Sequence, residues 1–377
     1  MKINAIKNSC TGCSACAQVC PKNCIKMQLD GEGFYFPVID KDSCISCGLC
    51  EKTCPALSKK PFQNERSTFY GWLKDDKLRD QSTSGGAFVA LAQSVLDSGG
   101  NVYGASFDYE TLTLRHRGVD EVGLDSIKKS KYIESFMGDT IKNIKEDLKS
   151  GKKVLFCGTP CEVSGVRSAL KNNDENLILV DFFCHGVPSS KLFKESLKKR
   201  KGKITSIDFR PKQKGWSNKN IEVKTEVGDK VKVYSLPYNL DFFYEGFMTS
   251  NAFLRRSCYN CEYRETHYSD ITIGDFWGYI YYDKSLNDEK GISLLVSNTL
   301  KGEKAISELK NFTYTQIDNQ FSAYAYKKKN YTKYAKTREL FYQNYKKYGF
   351  EIAAKKTYMK GYFVKLLKYK IKKLLGR

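Results

Sequence analysis

The sequence predicts a small α+β unit with a βαβ arrangement, then an α/β domain with a mixed or parallel sheet, and finally a basic helical tail. Three observations support this fold class. Nine of the 14 cysteines lie within residues 1–55, a strand–helix–strand pattern follows near residue 160, and basic and apolar residues alternate with helical spacing at the C-terminal end. We place the three parts at residues 1–57, 66–325 and 327–377, with a polar linker at 58–67.

The cysteines of the first unit form two complete copies of the motif C-x2-C-x2-C-x3-C-P. Three cysteines at this spacing hold corners of one [4Fe-4S] cluster, while the fourth ligates the other cluster. The motif therefore assigns Cys10, Cys13, Cys16 and Cys54 to the first cluster, and Cys44, Cys47, Cys50 and Cys20 to the second. CxxC pairs also suit zinc, but zinc does not require the rest of each copy. Cys24 is left over, and we expect it to be a small buried residue.

Composition limits the remaining possibilities. With 377 residues, 41% of them hydrophobic, the chain is long enough for more than one domain. It has no apolar run of about 18 residues that could span a membrane. The first ten residues lack the apolar core of a signal peptide, so we expect a cytoplasmic protein whose cysteines bind metal or do redox chemistry and do not form disulfides.

The net charge of +21 is concentrated in one segment. Residues 327–377 contain 17 Lys and Arg against two acidic residues, a net charge of +15, which leaves only +6 for the first 326 residues. A nucleic-acid-binding module needs a recognition motif as well as positive charge, and the sequence contains none that we recognise. We therefore do not expect nucleic acid to be a partner.

Glycines precede the first predicted helix of the main domain. Thr83-Ser84-Gly85-Gly86 opens an apolar helical stretch at Ala87–Leu96, and a strand is predicted at 102–107. A Ser-Gly-Gly sequence at a helix start can present backbone N–H groups to a phosphate. The alternative is that Ser84 caps the helix and the glycines only permit the turn.

Two predicted strands, at 153–156 and 177–183, flank a helix at 162–170 and form a parallel βαβ unit. Cys161 and Cys184 follow the two strands at the carboxyl edge of the sheet, where ligands bind in open α/β sheets. A further CxxC pair is formed by Cys258 and Cys261. These four cysteines predict a third [4Fe-4S] cluster, with Cys157 as a substitute ligand. His185, next to Cys184, is either a catalytic acid–base or a residue that bonds to local backbone.

Seven stretches in one order resemble the beta-subunit family of coenzyme F420 hydrogenase/dehydrogenase, over about residues 71–278: 83–86, 130–135, 154–161, 181–189, 209–212, 254–261 and 270–278. The N-terminal unit resembles bacterial two-cluster ferredoxins. The family resemblance implies one FAD and one [4Fe-4S] cluster on Cys161, Cys184, Cys258 and Cys261. It also implies that the flavin lies against Ser84, Gly85, Gly86, Lys131 and Tyr132. No G-x-G-x-x-G follows a predicted strand, so a nicotinamide site of the Rossmann type has no support.

These parts together predict a flavin and iron–sulfur oxidoreductase. Electrons would pass between ferredoxin-type clusters and a hydride-exchanging substrate through FAD, and the partners would be ferredoxin or another redox protein and a small-molecule hydride donor or acceptor. Coenzyme F420 is one candidate substrate, and a metabolite of polysaccharide biosynthesis is another. The alternatives are a non-catalytic electron-transfer subunit of a larger redox complex, and a binding protein that uses clusters for stability alone.

The end of the tail is predicted to be an amphipathic helix at 360–375. Six apolar residues fall on one side of it, and lysines lie outside that side. Such a helix can lie in the headgroup layer of an anionic membrane, which would make the protein peripheral at the inner face of the membrane. The alternative is a helix whose apolar side packs on the body of the protein.

Overall fold

The computed structural model describes residues 6–58, 67–119, 123–170, 174–321 and 334–375. Most of the predicted linker at 58–67 and the start of the predicted tail lie outside these ranges. The domain boundaries stay predictions.

The N-terminal unit is built around a two-stranded hairpin. Strands β1 (Ile25–Leu29) and β2 (Tyr35–Ile39) pair antiparallel, with Ile25 opposite Ile39. Short helices α1 (Ala15–Gln18) and α2 (Leu49–Thr53) stand before and after the hairpin. The described elements of this unit therefore run helix, strand, strand, helix, whereas the sequence predicted strand, helix, strand. Pro21 and Pro55 lie just beyond the two helices, where proline cannot continue a helix.

A nine-stranded mixed sheet forms the centre of the described main domain, as predicted. Its strands are β3 (Ser67–Leu73), β4 (Asn101–Asp108), β5 (Thr113–Val119), β6 (Ser135–Phe136), β7 (Val154–Cys157), β8 (Leu177–Phe182), β12 (Ile271–Asp275), β13 (Ser293–Ser297) and β14 (Phe312–Ile317). They lie in the order β14-β3-β13-β12-β8-β7-β4-β5-β6. The four neighbours β12, β8, β7 and β4 are parallel, and antiparallel strands flank them.

Helices cover this sheet, and the predicted βαβ unit lies at its centre. Strands β7 and β8 pair in parallel and are joined by α7 (Pro160–Leu170), which begins two residues earlier than predicted. Cys161 therefore lies inside the first turn of α7. The predicted helix at Ala87–Leu96 is confirmed as α4. The other helices that follow the sheet strands are α3 (Asp76–Asp80), α5 (Leu124–Ile127), α6 (Thr140–Lys149), α10 (Tyr279–Tyr282) and α11 (Leu300–Ser307).

A smaller antiparallel sheet and an aromatic core complete the body. Strands β9 (Lys203–Asp208), β10 (Asn220–Val227) and β11 (Lys230–Pro237) form this sheet, next to helices α8 (Ser190–Leu197) and α9 (Phe242–Met248). Buried phenylalanines pack between these elements: Phe193, Phe209, Phe243, Phe247 and Phe253. Large apolar side chains with almost no exposed surface give this region its stability, since each contributes about 1.5–3 kcal/mol when fully buried.

The C-terminal region contains three helices, α12 (Ala335–Tyr348), α13 (Phe350–Thr357) and α14 (Tyr362–Leu374). Phe341 of α12 and Phe350 and Ala353 of α13 join the aromatic core of the body, so these two helices belong to the globular structure. Helix α14 has no buried residue. None of the described helices combines the length and apolar character that a membrane span requires.

Candidate functional site

The eight motif cysteines gather around two small cavities in the N-terminal unit. Cys10, Cys13, Cys16 and Cys54 line one cavity, and Cys20, Cys44, Cys47 and Cys50 line the other. Each quartet has the membership that the motif predicts, with the fourth cysteine contributed by the other copy. Ser14 and Gly48 precede the two short helices in left-handed conformation, which turns the chain around each cavity.

Burial makes the Cys13 thiol a poor anion unless a cation is beside it. Burial raises the pKa of the Cys13 thiol to about 12, and the nearby Cys10 and Cys54 thiols add to this shift. In the described residues, no group of three or more His, Cys, Asp or Glu side chains is arranged to hold a single metal ion. Four mutually facing thiols around a cavity suit a multi-iron cluster, whose positive irons would stabilise all four thiolates.

Cys24 is buried, as predicted, but it does not lie apart from the quartets. Its Sγ is 3.4 Å from Cys20 Sγ, and both line the second cavity. The structure therefore presents five thiols there for four cluster positions, and the motif selects Cys20.

Serine variants can show which of these two thiols binds the second cluster. We expect Cys20→Ser to remove the second cluster, about four irons per chain, because the substituted hydroxyl is a poor cluster ligand. Cys24→Ser is the matched control and should keep all the iron, as measured by iron and labile-sulfide analysis. A loss of iron in Cys24→Ser and not in Cys20→Ser would reverse the assignment.

The third predicted quartet converges in the main domain. Burial raises the pKa of the Cys184 thiol well above its ordinary value, and the adjacent Cys258 and Cys261 thiols raise it further. Burial also raises the pKa of the Cys161 thiol well above its ordinary value, and Glu162 and the Cys261 and Cys184 thiols raise it further. A hydrogen bond agrees with part of this set: the Val187 N–H, three residues after Cys184, donates to Cys258 Sγ at 3.4 Å. The elements of the four cysteines differ: the start of α7, the loop after β8, and a 3-10 turn at Arg256–Asn260.

Cys157 is the predicted substitute ligand. It is the last residue of β7 and lines a large cavity beside the quartet. Burial raises the pKa of Cys157, and the charges that act on it come from Asp181, Glu162 and Lys131 and not from the quartet. Its position favours Cys161 as the ligand from this strand–helix turn.

The large cavity has a volume of about 630 Å³, which is typical of small-molecule and cofactor sites. It lies at the carboxyl ends of β7 and β8, where ligands bind in open α/β sheets. The start of α4 forms part of its lining, and the segment 184–188, which begins at Cys184, forms another part. Three acidic residues, Glu134, Glu162 and Asp275, also line it, but aromatic and basic residues are more numerous: Lys129, Lys131, Tyr132, Arg210, Lys219, Tyr238, Tyr244 and Trp277.

The Ser-Gly-Gly segment lies beside this cavity, but its three residues differ in role. Ser84 and Gly86 line the cavity, as do the first three residues of α4. Ser84 Oγ donates to the Ile292 carbonyl at 2.5 Å, so this hydroxyl is already engaged. Gly85 packs against the sheet, where an added Cβ would lie 2.3 Å from the Gly71 carbonyl oxygen. The Ala87 N–H donates to Ser293 Oγ at 3.3 Å. The donors left for a ligand are therefore the N–H groups of Phe88 and Val89, with the helix dipole behind them.

Lys131 and Tyr132 also line the cavity, as predicted. Lys131 Nζ donates to the Lys128 carbonyl at 2.5 Å, and burial lowers the pKa of Lys131 to about 7. An anion bound beside this amine would restore its charge. The Tyr132 ring packs edge-on against Phe209 and Tyr244, which fixes its position in the wall.

Both cavity histidines are held by hydrogen bonds. His185 Nε2 donates to Asn251 Oδ1 at 2.8 Å, and its ring packs edge-on against Phe247. His116, which the sequence did not point to, has Nδ1 2.7 Å from Ser135 Oγ and Nε2 3.3 Å from the Cys157 carbonyl. Burial lowers the pKa of His116, which favours a neutral ring.

The first ferredoxin quartet touches the main domain beside the third quartet. A Cβ added to Gly165 of α7 would lie 2.8 Å from Cys13 Sγ, so only glycine permits this approach. Arg255 and Glu134 form a fully buried ion pair at 3.0 Å in the same junction. Arg255 also donates to the Cys10 and Tyr35 carbonyls.

Charges from both quartets act on this guanidinium. Burial works against ionisation of Arg255, but Glu134 and three cysteines raise its pKa: Cys10 of the first quartet, and Cys258 and Cys161 of the third. The same buried arginine therefore lies between two sets of thiols from different domains.

Comparisons with known proteins agree with the motifs. Residues 151–320 match the family that represents the C terminus of the coenzyme F420 hydrogenase/dehydrogenase beta subunit, and residues 9–57 match the 4Fe-4S dicluster domain. The predicted resemblance is thus confirmed: the N-terminal unit is similar to the 4Fe-4S dicluster domain, and residues 151–320 are similar to the beta-subunit family.

One solved structure similar to this chain belongs to the F420-reducing [NiFe] hydrogenase complex from Methanosarcina barkeri. The identity is 16% and the TM-score is 0.49, and the match covers 75% of this chain and 94% of that chain. No protein of curated function matches.

Proposed function

We propose that this chain is a flavin and iron–sulfur oxidoreductase. Electrons pass between the dicluster domain, a third [4Fe-4S] cluster on Cys161, Cys184, Cys258 and Cys261, and an FAD in the large cavity, where a substrate exchanges a hydride. One observation carries the proposal: Cys184, one of the four cysteines predicted for the third cluster, lines the cavity, while α7, which supplies Cys161, approaches Cys13 closely at Gly165.

The cofactors supply complementary chemistry. Iron–sulfur clusters transfer single electrons, and a flavin converts between single electrons and a hydride pair. The protein contributes a low-dielectric junction between the dicluster domain and the main domain, because Arg255 and Glu134 are buried there. The positive charge of Arg255 near both quartets favours the more negative, reduced state of each cluster.

The cavity residues fit a flavin dinucleotide. The N–H groups at the start of α4 and the amine of Lys131 would hold phosphate, since both favour an anion. Tyr132 and Trp277 provide apolar ring surface, and Arg210 is fixed by an ion pair with Asp275. The start of α4 and Cys184 both line this cavity.

Loss of Lys131 should weaken retention of the flavin. We expect Lys131→Ala to lower bound FAD per chain about tenfold or more under dilute conditions, since a charge-assisted bond to phosphate contributes about 1.5–3 kcal/mol. Lys304→Ala, an exposed lysine on α11, is the matched control and should bind FAD normally. Flavin released after gel filtration measures both. Equal retention by the two variants would contradict the assignment of Lys131.

The substrate and the partners are part of the proposal. Coenzyme F420 or another metabolite, including one used in polysaccharide biosynthesis, exchanges the hydride, and ferredoxin or another redox protein exchanges single electrons. Turnover of candidate acceptors by the isolated chain, with dithionite or reduced ferredoxin, tests this directly. A chain that takes up electrons but turns over no acceptor by itself would instead be an electron-transfer subunit of a larger complex.

A further inference from the structure

Helix α14 presents a continuous apolar face that the described parts of the protein leave largely exposed, with the Lys355 amine 5.1 Å from the centre of the Phe363 ring at its edge. Phe363 is 71% exposed, Leu367 60% and Leu374 86%, and Val364, Ile371 and Leu375 are also exposed. At 100° per residue these six side chains fall within an arc of about 120°. Single exposed apolar residues are ordinary, but six on one helix face form a patch of the kind that marks an interaction site.

The helix touches the body through a different face. Tyr362, Leu366 and Tyr369 are its partly buried residues, and they lie roughly opposite the exposed arc. The Tyr362 ring packs against Phe242 at 4.6 Å. The alternative from the sequence, an apolar face packed on the body, is therefore not what the structure shows. The helix is anchored by one side and offers its other side outward.

Lysines border the apolar face. Lys365, Lys368 and Lys372 lie along one edge and Lys370 along the other, and all are exposed. None of them has an ion-pair partner in the described parts of the chain, and α14 contains no acidic residue. The surface thus combines an uncovered apolar strip with unneutralised positive charge on both sides.

We propose that α14 binds the surface of an anionic membrane, with its apolar face in the headgroup region and its lysines against anionic lipids. Charge complementarity favours this occupant over a second copy of the chain. Two α14 helices packed face to face would bring their lysine rows together, and each row would repel the other. This inference is independent of the proposed redox function, because α14 lies outside the cavity and the cysteine quartets.

Vesicle binding by the full chain tests the proposal. The probes are phosphatidylcholine vesicles with and without phosphatidylglycerol. The unaltered protein should sediment with the anionic vesicles and stay in solution with the neutral ones. Leu367→Glu/Ile371→Glu should lower the partition coefficient at least about tenfold, because two buried apolar side chains are lost. Lys365→Gln/Lys368→Gln/Lys372→Gln should lower it about a hundredfold.

A matched control uses equally exposed apolar residues elsewhere. Val231 and Val233 of β11 are 61% and 52% exposed, so Val231→Glu/Val233→Glu adds the same charges to another surface. This control should bind vesicles like the unaltered protein.

Equal loss in both glutamate pairs, or no effect of Leu367→Glu/Ile371→Glu, would overturn the proposal. So would a dimer in solution that only the α14 pair disrupts, with no vesicle binding. Iron content and cluster reduction in solution should be unchanged in every variant, which separates this test from that of the redox function.

Discussion

Replacing Cys258 and Cys261 together by serine is expected to lower the iron content from about twelve to about eight atoms per chain. Both thiols belong to the third quartet, and burial raises the pKa of Cys258 to about 12, so a bound cluster is what would keep it ionised. The dicluster domain uses separate cysteines around its own cavities and should keep its spectroscopic signal. Iron and labile-sulfide analysis, with electron paramagnetic resonance of the reduced protein, measures the change.

Cys157→Ser is the matched control for this experiment. It is close in sequence to Cys161 and lines the large cavity, and the charges that act on it come from Asp181, Glu162 and Lys131. It should retain about twelve irons. An iron content near eight in the unaltered protein would show that the third cluster does not form, and a loss of four irons in Cys157→Ser would move the ligand to that residue.

Arg255→Met is expected to destabilise the protein by about 3–5 kcal/mol, because it leaves Glu134 buried without a counter-charge. The effect is large because neither side chain reaches solvent: Arg255 is 1% exposed and Glu134 6% exposed. Burial already raises the pKa of Glu134 to about 7, even with the arginine beside it. Without the arginine this pKa should rise further, so the loss of stability should grow as the pH is raised. The midpoint of thermal unfolding measures the loss.

Two variants make this prediction specific. In Arg255→Met/Glu134→Leu the unpaired charge is absent, so much of the lost stability should return. Arg256→Met removes the neighbouring arginine, which is half exposed and paired with Glu32, and should cost at most about 1 kcal/mol. Equal unfolding midpoints for Arg255→Met and Arg256→Met would contradict a structural role for the buried pair.

The features that could be predicted from the sequence are those determined by residues close together along the chain. The cysteine spacing defined both N-terminal quartets because three of the four cysteines in each come from one short loop. Helix α4 begins and ends where predicted, between glycines at Gly86 and Gly99. The parallel pairing of β7 and β8 follows from a connection long enough for a helix, and it brings Cys161 and Cys184 to one edge of the sheet.

The remaining features depend on contacts that are distant in sequence. Glu134 and Arg255 lie in two of the motif stretches, but nothing local indicates that they pair across 121 residues. Ser84 carries a good capping hydroxyl, yet tertiary structure directs it to Ile292. Likewise, α12 and α13 share the basic composition of α14, and only their buried Phe341 and Phe350 distinguish core helices from an exposed one.

The most direct test of the redox path is the reduction of bound flavin by reduced ferredoxin, followed anaerobically by flavin absorbance. Comparison of the unaltered chain with Cys258→Ser/Cys261→Ser isolates the third cluster, provided that both are loaded with FAD. We expect rapid flavin reduction in the unaltered chain and reduction at least about a hundredfold slower in the variant, because the variant lacks the carrier between the dicluster domain and the cavity. Equal rates in the two proteins, or an iron-loaded chain that binds no flavin, would contradict the account.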